Sequence, residues 1–296
     1  MIGSLAVTKY SSLQLFAQFL LILCNDVRFV YYFVGETINS FTVSVVSHGH
    51  QAQLSRLLPQ LAKLCSAQLH KVVVTHNTQE QLDSELLLRV RNFPFEVDFV
   101  TNDRPLGFGA NHNNAFIACK SDYFCALNPD IELLDNPFVA MANSLNKNDV
   151  GLSYPGQIDS NAAPLDFERA VVSPYALVAR HWHAMLRKLG ASTTIASGQP
   201  VNWASGSFLA FKSTTFKTLG GFDERYFMYC EDVDICLRAQ LLGYRMERAD
   251  AVVVHHTQRR TLKSVRHLAW HMRSLFRLWR STSYREYKKQ FMGVNN

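Results

Sequence analysis

The stretch FMYCEDVDICLR, residues 227–238, places acidic side chains among apolar ones. Carboxylates are rarely buried unless a positive group or a catalytic task holds them there. Glu231 and Asp232 are predicted to lie at the start of a helix, where the helix dipole favours negative charge. A carboxylate at a helix start beside a pocket can act as a general base. Asp234 needs no such role, because Arg238 follows it by four residues and can pair with it on the helix surface.

A second acidic position follows the segment YFCALNPDI, residues 123–131, which predicts a strand ending in an acid. Asp130, close to Asn128, could hold a divalent cation that bridges phosphates, because magnesium and manganese prefer oxygen ligands. An ordinary Asn-Pro-Asp turn explains the same residues equally well. His255 and His256 end another apolar strand, and their spacing alone is compatible with either a structural or a metal-binding role.

The segment RPLGFGANHNN contains two glycines that let a ligand approach the backbone closely. Gly107 and Gly109 do not form the dinucleotide-binding pattern GxGxxG. Nucleotidyl transfer would require a glycine loop rich in lysine or arginine, and this loop offers only Arg104. A plain turn before a helix is the alternative interpretation.

These residues require a framework, and the first half of the chain predicts one. The strand segments FTVSVVSHGH, which stops at a polar turn, KVVVTHN, FEVDFVTN and YFCALNPDI alternate with the helical segments QAQLSRLLPQLAKL, EQLDSELLLRV and GFGANHNNAFIAC. This alternation predicts an α/β fold with a mostly parallel sheet covered by helices on both faces. Ligands bind at the carboxyl ends of strands in such sheets. Those ends carry the polar pairs Ser47 and His48, His76 and Asn77, Asn102 and Asp103, and Asn128 and Asp130.

The second half of the chain is less regular. VGLSYPGQI and WASGSFLAFK each predict a strand, and ADAVVVHH predicts a final one. STTFKTLGGF predicts a helix that is capped by Gly220 and Gly221.

Composition limits the class of protein. The chain has 296 residues, 48% of them hydrophobic, which suits one large domain or two small ones. The six cysteines show no CxxC pair, so they are interpreted as reduced core thiols of a cytosolic protein, and zinc is not expected.

The basic excess lies in the C-terminal segment. Residues 258–290 contain ten of the 30 Lys and Arg residues but one of the 24 acidic residues, Glu286. Basic, aromatic-rich amphipathic helices often lie on anionic membrane surfaces. A helix that docks on the core is the alternative. Nucleic acid is disfavoured as a partner, because the rest of the chain is not basic and shows no nucleic-acid motif.

Three segments are therefore expected. Residues 1–38 form an N-terminal extension whose apolar run LQLFAQFLLILC is too short to span a membrane. This extension is interpreted as an interfacial anchor, a packed extra helix, or leader residues from a misassigned start. Residues 39–257 form the main domain, and residues 258–296 form the basic amphipathic helical segment.

The order of the motifs resembles that of glycosyltransferase family 2. VSVVSHGH, GFGANHNNA, LNPDI, VNWASGSFLAF, GGFDERYFMYCEDVDICLR and VVVHH carry the resemblance. The similarity is greatest to bacterial rhamnosyltransferases that build O-antigen (lipopolysaccharide) or related polysaccharides. It implies a GT-A fold of Rossmann-like type, a nucleotide-sugar donor, a divalent cation (Mg²⁺ or Mn²⁺) and an inverting mechanism.

The same resemblance implies roles for individual residues. Asp232 corresponds to the catalytic base with Glu231 beside it, and Asp130 and His255 correspond to positions that can reach the metal. The predicted nucleotide-sugar-binding residues are Ser47, His48, Asn77, Gly107, Gly109, Asn111, Asn113, Asn128 and Asp130. The predicted acceptor-side residues are Trp203, Gly206 and Ser207. Two positions depart from the family pattern, since Asn128 and His76 stand where relatives often have aspartate.

The function that the resemblance implies is transfer of L-rhamnose from dTDP-β-L-rhamnose to a lipid-linked GlcNAc-diphosphate acceptor. The enzyme would be cytoplasmic and peripheral at the inner face of the cell membrane, bound through its basic segment, where it meets a polyprenyl-diphosphate-linked saccharide. One alternative is a family 2 transferase with another nucleotide-hexose donor. The other is a non-catalytic membrane-surface binding protein that keeps a GT-A body.

Overall fold

An eight-stranded sheet organises the protein in a computed structural model that describes residues 40–79, 83–171, 173–174, 201–256 and 265–293. The predicted N-terminal extension lies outside the described residues, as does the beginning of the basic segment. The strands of the described part are β1 Phe41–Ser47, β2 Leu69–His76, β3 Glu96–Thr101, β4 Tyr123–Leu127, β5 Ile131–Leu133, β6 Val150–Ile158, β7 Glu168–Arg169, β8 Trp203–Ala204, β9 Phe208–Lys212 and β10 Arg245–His255.

Helices connect and cover these strands. Those of the described part are α1 Gln51–Leu64, α2 Ser84–Val90, α3 Phe108–Phe116, α4 Pro137–Leu145, α5 Ser213–Thr218, α6 Glu231–Leu241, α7 Val265–Arg280 and α8 Thr282–Phe291. A short 3₁₀ turn, Ser66–Gln68, precedes β2. The predicted helix ends are confirmed at α5, where Gly220 and Gly221 have positive φ angles of 68° and 72°.

The sheet order is β3-β2-β1-β4-β9-β6-β10-β5. The four strands from β3 to β4 run parallel, and β6 and β10 form a second parallel pair. Strand β9 joins the two groups by pairing antiparallel with β4 and β6, and β5 pairs antiparallel with β10. The predicted mostly parallel sheet is therefore confirmed, and its polar strand ends lie along one edge.

Two apolar layers cover the sheet, as the alternating pattern predicts. Helices α1 and α4 bury Leu54, Leu58, Phe138 and Met141 against one face. Helices α3, α5 and α6 contribute the other layer through residues that include Ala115, Phe216, Ile235 and Cys236. Every one of these side chains is at most 3% exposed, so helices cover both faces.

Two strand predictions are wrong in their bounds. WASGSFLAFK forms two strands instead of one, because a turn at residues 205–207 separates β8, which pairs with β7 in a small second sheet, from β9. The strand before LNPD ends at Leu127, and Asp130 lies in the turn that leads to β5. Proline cannot donate to a strand ladder, so Pro129 ends the pairing there.

The C-terminal helices pack onto the main domain. Leu278 and Tyr287 are 2% exposed and pack with Val233 and Leu237 of α6. The hydroxyl of Tyr287 also accepts a hydrogen bond from Asn202. The docked-helix interpretation is thus correct for the inner face of this segment. Within the described ranges, no helix combines the length and apolar character that crossing a membrane would require.

Candidate functional site

A sharp backbone turn places two carboxyl groups at the start of α6. Tyr229 and Cys230 have φ angles of 72° and 66°, in the left-handed region that L residues rarely adopt. The helix begins at the next residue, Glu231. Asp232 then accepts hydrogen bonds from the backbone N–H of Val233 (2.9 Å, Oδ1) and of Gly206 (3.1 Å, Oδ2). The predicted helix start is confirmed, and its aspartate is fixed from two sides.

The two carboxyl groups ionise differently because their surroundings differ. Burial raises the pKa of Asp232, while backbone N–H groups of Gly206 and Val233 and the charge of Arg169 act in the opposite direction. Burial raises the pKa of Glu231 well above its usual range, and the charge of Asp232 raises it further. Among the described residues, Oε2 of Glu231 is buried and has no hydrogen-bond partner. We infer that Asp232 ionises first, while Glu231 stays protonated.

Asp130 and His255 face each other at the carboxyl end of the sheet. Nε2 of His255 lies 3.3 Å from Oδ1 of Asp130, and the two side chains are 12% and 19% exposed. Nδ1 of His255 lies 2.9 Å from Oε1 of the buried Gln157. A carbonyl oxygen only accepts, so Nδ1 carries the proton and donates to Gln157. In a neutral ring, Nε2 therefore presents a lone pair towards the carboxylate.

This pair fits a divalent cation. Two acceptor atoms at 3.3 Å repel each other unless a proton or a cation lies between them, and two ligands of one ion at about 2.1 Å are separated by roughly this distance. Within the described residues, no group of three or more His, Cys, Asp or Glu residues could hold a metal ion. A site with two protein ligands matches the way that magnesium binds together with substrate phosphates. His256 points elsewhere, to Glu132 at 2.7 Å on the surface.

The turn at residues 205–207 connects Asp232 to the pair of Asp130 and His255 by hydrogen bonds. The backbone N–H of Gly206 donates to Asp232, and the carbonyl of Ser207 accepts from the N–H of Asn128 at 2.8 Å. The hydroxyl of Ser207 also exchanges hydrogen bonds with Gln157, at 2.9 and 3.1 Å. Adjacent residues of one turn thus connect the carboxylate of Asp232 with the pair of Asp130 and His255.

Asparagines fix the loop that precedes α3. Asn77 both donates to and accepts from the backbone of Leu106, at 2.9 and 2.8 Å. Nδ2 of Asn102 donates to Oδ1 of Asn77 and to Oδ1 of Asn111, at 2.9 and 2.6 Å. Nδ2 of Asn111 donates to the carbonyl of Gly107 at 2.9 Å. The structure brings these predicted residues together, and their amides are used to shape the loop.

The glycines of this loop are required by packing within the protein. A Cβ on Gly107 would lie 2.9 Å from the carbonyl oxygen of Phe227, and a Cβ on Gly109 would lie 2.6 Å from Cβ of Phe222. Asn113 anchors the same segment, because it donates to the carbonyl of Phe222 at 2.9 Å and accepts from its N–H at 2.8 Å. The loop and α3 are therefore fixed against the segment that leads to the base.

The remaining predicted residues lie at strand ends and on the small two-stranded sheet of β7 and β8. Ser47 is buried at the end of β1, next to His76 in the register, and His48 follows it on the surface. Trp203 is partly buried on β8, and its indole N–H donates to the carbonyl of Ala170 at 3.3 Å. Trp203 pairs with Arg169 across this small sheet.

The pair of Asp234 and Arg238 is present, but its predicted surface position is wrong. Asp234 is 3% exposed, and Nε of Arg238 donates to its carboxylate at 2.7 Å. Arg238 also donates to the carbonyls of Leu219 and Gly221, and the hydroxyl of Ser283 donates to Asp234 at 2.7 Å. Helix α8 covers the carboxylate, which sequence periodicity within α6 could not indicate.

Two residues of this site were not predicted. Gln157 is buried between His255 and Ser207 at the carboxyl end of β6, and a lone amide at the end of an apolar strand was the available signal. Arg169 influences Asp232 from the small sheet of β7 and β8. No sequence pattern placed this small sheet near Asp232.

Comparison with known proteins gives a consistent answer. Residues 39–273 match the family model described as glycosyltransferase like family 2. Rhamnosyltransferase WbbL of Escherichia coli (strain K12) is 28% identical over 253 residues, 79% of this chain and 90% of that protein. An N-acetylglucosaminyl-diphospho-decaprenol L-rhamnosyltransferase of Mycobacterium tuberculosis (strain CDC 1551 / Oshkosh) is 43% identical over 82 residues, 27% of each chain.

Solved structures match the fold at low sequence identity. GalNAc-T7 with UDP, GalNAc and Mn²⁺ aligns with a TM-score of 0.60 and 15% identity, over 86% of this chain and 50% of that one. S. aureus TarS 1-349 in complex with UDP-GlcNAc aligns with a TM-score of 0.55 and 12% identity, over 85% and 73% of the two chains. The predicted GT-A architecture is confirmed.

Proposed function

The chain belongs to glycosyltransferase family 2, and from that premise we propose that it is an inverting rhamnosyltransferase. The proposed reaction moves L-rhamnose from dTDP-β-L-rhamnose to a polyprenyl-diphosphate-linked GlcNAc acceptor in cell-surface polysaccharide (O-antigen) synthesis. The names of the two relatives above support the sugar and the class of acceptor. The observation that carries the proposal is the turn at residues 205–207, which is hydrogen-bonded to Asp232 and, through Gln157, to His255 of the pair with Asp130.

Asp232 acts as the base in this proposal. Its carboxylate takes the proton of the acceptor hydroxyl while that oxygen forms a bond to the anomeric carbon. The bond from that carbon to the nucleotide diphosphate breaks on the opposite face, so an α-rhamnoside results. The protonated Glu231 adds no second negative charge beside the base, which keeps Asp232 ionised and able to accept the proton.

Asp130 and His255 are proposed to hold Mg²⁺ or Mn²⁺ at the donor diphosphate. When bound, the cation offsets the charge that develops on the departing nucleotide diphosphate. Gln157 fixes the ring of His255, and the network of Asn77, Asn102 and Asn111 fixes the loop that would meet the donor. Positioning by these rigid contacts contributes to the rate together with the proton transfer.

The outer face of α7 supports a position at the inner face of the cell membrane. Leu268 and Phe276 are 51% and 55% exposed, and the exposed Arg273 and Arg280 lie on the same helix. Exposed apolar side chains among cations suit an anionic lipid surface. The inner face of α7 packs on the segment before the base, where Ser274 donates to the carbonyl of Met228 at 2.8 Å. A lipid-linked acceptor would therefore meet the enzyme at the membrane surface to which the outer face of α7 binds.

The experiment is a transfer assay with purified protein and dTDP-, UDP- and GDP-sugars, with Mg²⁺ or Mn²⁺ and a GlcNAc-diphosphate-lipid acceptor. We expect turnover with dTDP-rhamnose, and a loss of about 10²–10⁴-fold in Asp232→Asn, because that variant lacks the base. Glu231→Gln is the matched control, since it imitates the protonated neighbour and should stay well above Asp232→Asn.

The outcomes separate the alternatives. Turnover with another nucleotide hexose would keep the mechanism and remove rhamnose as the donor sugar. Transfer that persists in Asp232→Asn would show that the base is assigned wrongly. Absence of turnover with every donor, in folded protein that still binds vesicles, would favour a non-catalytic membrane-surface protein.

A further inference from the structure

The small sheet of β7 and β8, which carries the predicted acceptor-side residue Trp203, also carries a cation. Arg169 pairs with Trp203 across this sheet, and its guanidinium carbon lies 5.5 Å from the centre of the Trp203 ring. Gly206, three residues after Trp203, donates to Asp232. Trp203 is therefore close along the chain to the residue that donates to Asp232.

Asp166 orients this guanidinium group. Nε of Arg169 lies 2.9 Å from the carboxylate of Asp166, and Nη2 donates to the carbonyl of the same residue at 2.9 Å. These contacts use two of the five N–H donors of an arginine. The side chain of Arg169 is 45% exposed, so a ligand can reach it. An arginine held by stacking and by one carboxylate loses little freedom when it binds an anion.

The acceptor of the proposed reaction brings a diphosphate to this side of the site. In the proposed function, Asp130 and His255 hold the cation at the donor diphosphate, so Arg169 is not required for the donor. A second diphosphate near ionised Asp232 would be repelled unless a cation lies beside it. Arginine suits this task because its planar fork matches the oxygens of a phosphate. The charge of Arg169 also acts on Asp232, which supports their proximity.

We propose that Arg169, oriented by Trp203 and Asp166, binds the diphosphate of the lipid-linked acceptor and thereby selects acceptors that carry one. This inference rests on the proposed function. It concerns recognition of the acceptor and leaves the identity of the donor sugar open.

The test compares two acceptors of the full-length enzyme, a GlcNAc-diphosphate-lipid and an uncharged GlcNAc alkyl glycoside. For each acceptor, kcat/KM is measured in wild type, Arg169→Gln and Arg169→Lys. We expect Arg169→Gln to lower the preference for the diphosphate acceptor about tenfold or more, since it removes a charge-assisted contact. Arg169→Lys should restore part of the preference, and KM for the donor should stay within about twofold. Because the preference is the ratio of kcat/KM for the two acceptors, any effect of the substitution on Asp232 that is common to both acceptors cancels.

Arg245→Gln is the matched control. Arg245 is an exposed arginine with an ion pair to Asp149, but it lies at the amino end of β10, and His255 lies at the opposite end of the same strand. A second readout is competition by a short polyprenyl diphosphate without sugar, which should weaken in Arg169→Gln and persist in Arg245→Gln.

Two results would overturn the inference alone. In both, wild type transfers sugar to the diphosphate acceptor. In the first, Arg169→Gln keeps the wild-type preference for that acceptor and the wild-type competition by polyprenyl diphosphate. In the second, Arg245→Gln loses as much of this preference as Arg169→Gln does. Wild type that transfers sugar to the uncharged acceptor alone would remove the diphosphate from the proposed function and this subsite with it. Circular dichroism of the variants distinguishes lost recognition from lost folding.

Discussion

At the scale of single residues, neighbouring carboxyl groups differ because their partners differ. Asp232 receives two backbone N–H groups, whereas one oxygen of Glu231 is buried without a partner in the described structure. Burial raises the pKa of both groups, but backbone hydrogen bonds act against this for Asp232, whereas the charge of Asp232 adds to it for Glu231. One side chain is thus available to accept a proton, while its neighbour remains neutral.

The stability of the protein should depend on pH through Glu231. In the unfolded chain this group ionises near pH 4.3, while the folded protein keeps its pKa higher. The folded state binds the extra proton above about pH 4.3, so its stability falls as pH rises through that window. Glu231→Gln removes this loss, so we expect its free energy of unfolding to exceed that of wild type increasingly as pH rises above about pH 4.3.

Urea unfolding at several pH values measures this difference. The exposed Glu286→Gln is the control for loss of one carboxyl group. A constant difference between Glu231→Gln and wild type over the whole range would contradict the raised pKa.

Gln157 should affect metal affinity through the proposed metal-binding pair of Asp130 and His255. Gln157→Leu keeps the volume but removes the acceptor of His255 Nδ1. Outer partners of metal ligands typically contribute about 10–100-fold to metal affinity. We therefore expect the Mn²⁺ concentration for half-maximal transfer to rise by that factor, while transfer at saturating Mn²⁺ largely returns. His256→Gln is the control on the neighbouring surface histidine, and an equal rise in both variants would contradict the role of Gln157.

At the scale of elements, the loop before α3 is built by close packing against residues 222–227. Gly107 and Gly109 leave room for Phe227 and Phe222, and Asn113 fixes Phe222 by two backbone hydrogen bonds. The same segment continues into the turn before α6. The loop and the base are therefore parts of one packed unit, and a change in the packing should affect both.

Gly109→Ala should disturb this unit. The added Cβ would lie 2.6 Å from Cβ of Phe222, which forces α3 or the phenylalanine to move. Overpacking of this kind costs about 1–3 kcal/mol, and we expect KM for the donor to rise as well. Urea unfolding and donor kinetics measure the two effects.

Gly220→Ala is the control for this change. No atom lies within 4 Å of the new Cβ at Gly220, so that variant meets only the strain of φ 68°, about 1–2 kcal/mol, and should leave donor KM alone. A donor KM that is unchanged in Gly109→Ala would show that the loop is independent of this packing.

At the scale of the whole molecule, the C-terminal helices have two faces with different partners. The inner face buries Leu275, Leu278, Tyr284 and Tyr287 on α6, so these helices are part of the folded domain. The outer face of α7 leaves Leu268 and Phe276 exposed beside arginines. The first face contributes to stability, and the second is proposed to contact the membrane.

The double variant Leu268→Ser and Phe276→Ser tests the outer face. Burying each apolar side chain in a lipid surface contributes about 1.5–3 kcal/mol, so binding to anionic vesicles should fall at least about tenfold per residue. The melting temperature should change little, because both side chains are exposed. Leu88→Ser is the control, since Leu88 is 63% exposed on α2. Equal loss of vesicle binding in both would contradict a specific membrane face.

The sequence by itself determined the architecture and the position of the carboxyl groups at the start of α6. Strand and helix periodicities predict an alternating fold, because they reflect local burial on one face or two. The acids after an apolar run predict the start of α6, because the helix dipole favours negative charge there. Polar residues at strand ends predict the functional edge of the sheet.

Only the tertiary structure decided how these residues are used. Periodicity within α6 suggested a surface pair for Asp234, but α8, distant in sequence, covers it. The glycines of the loop are interpreted from the sequence as ligand contacts, but the backbone of Phe227 and the side chain of Phe222 require them. Gln157 and Arg169 reach the site through β6 and through the small sheet of β7 and β8. Such contacts join residues far apart in the chain, and local patterns carry no information about which distant segments meet.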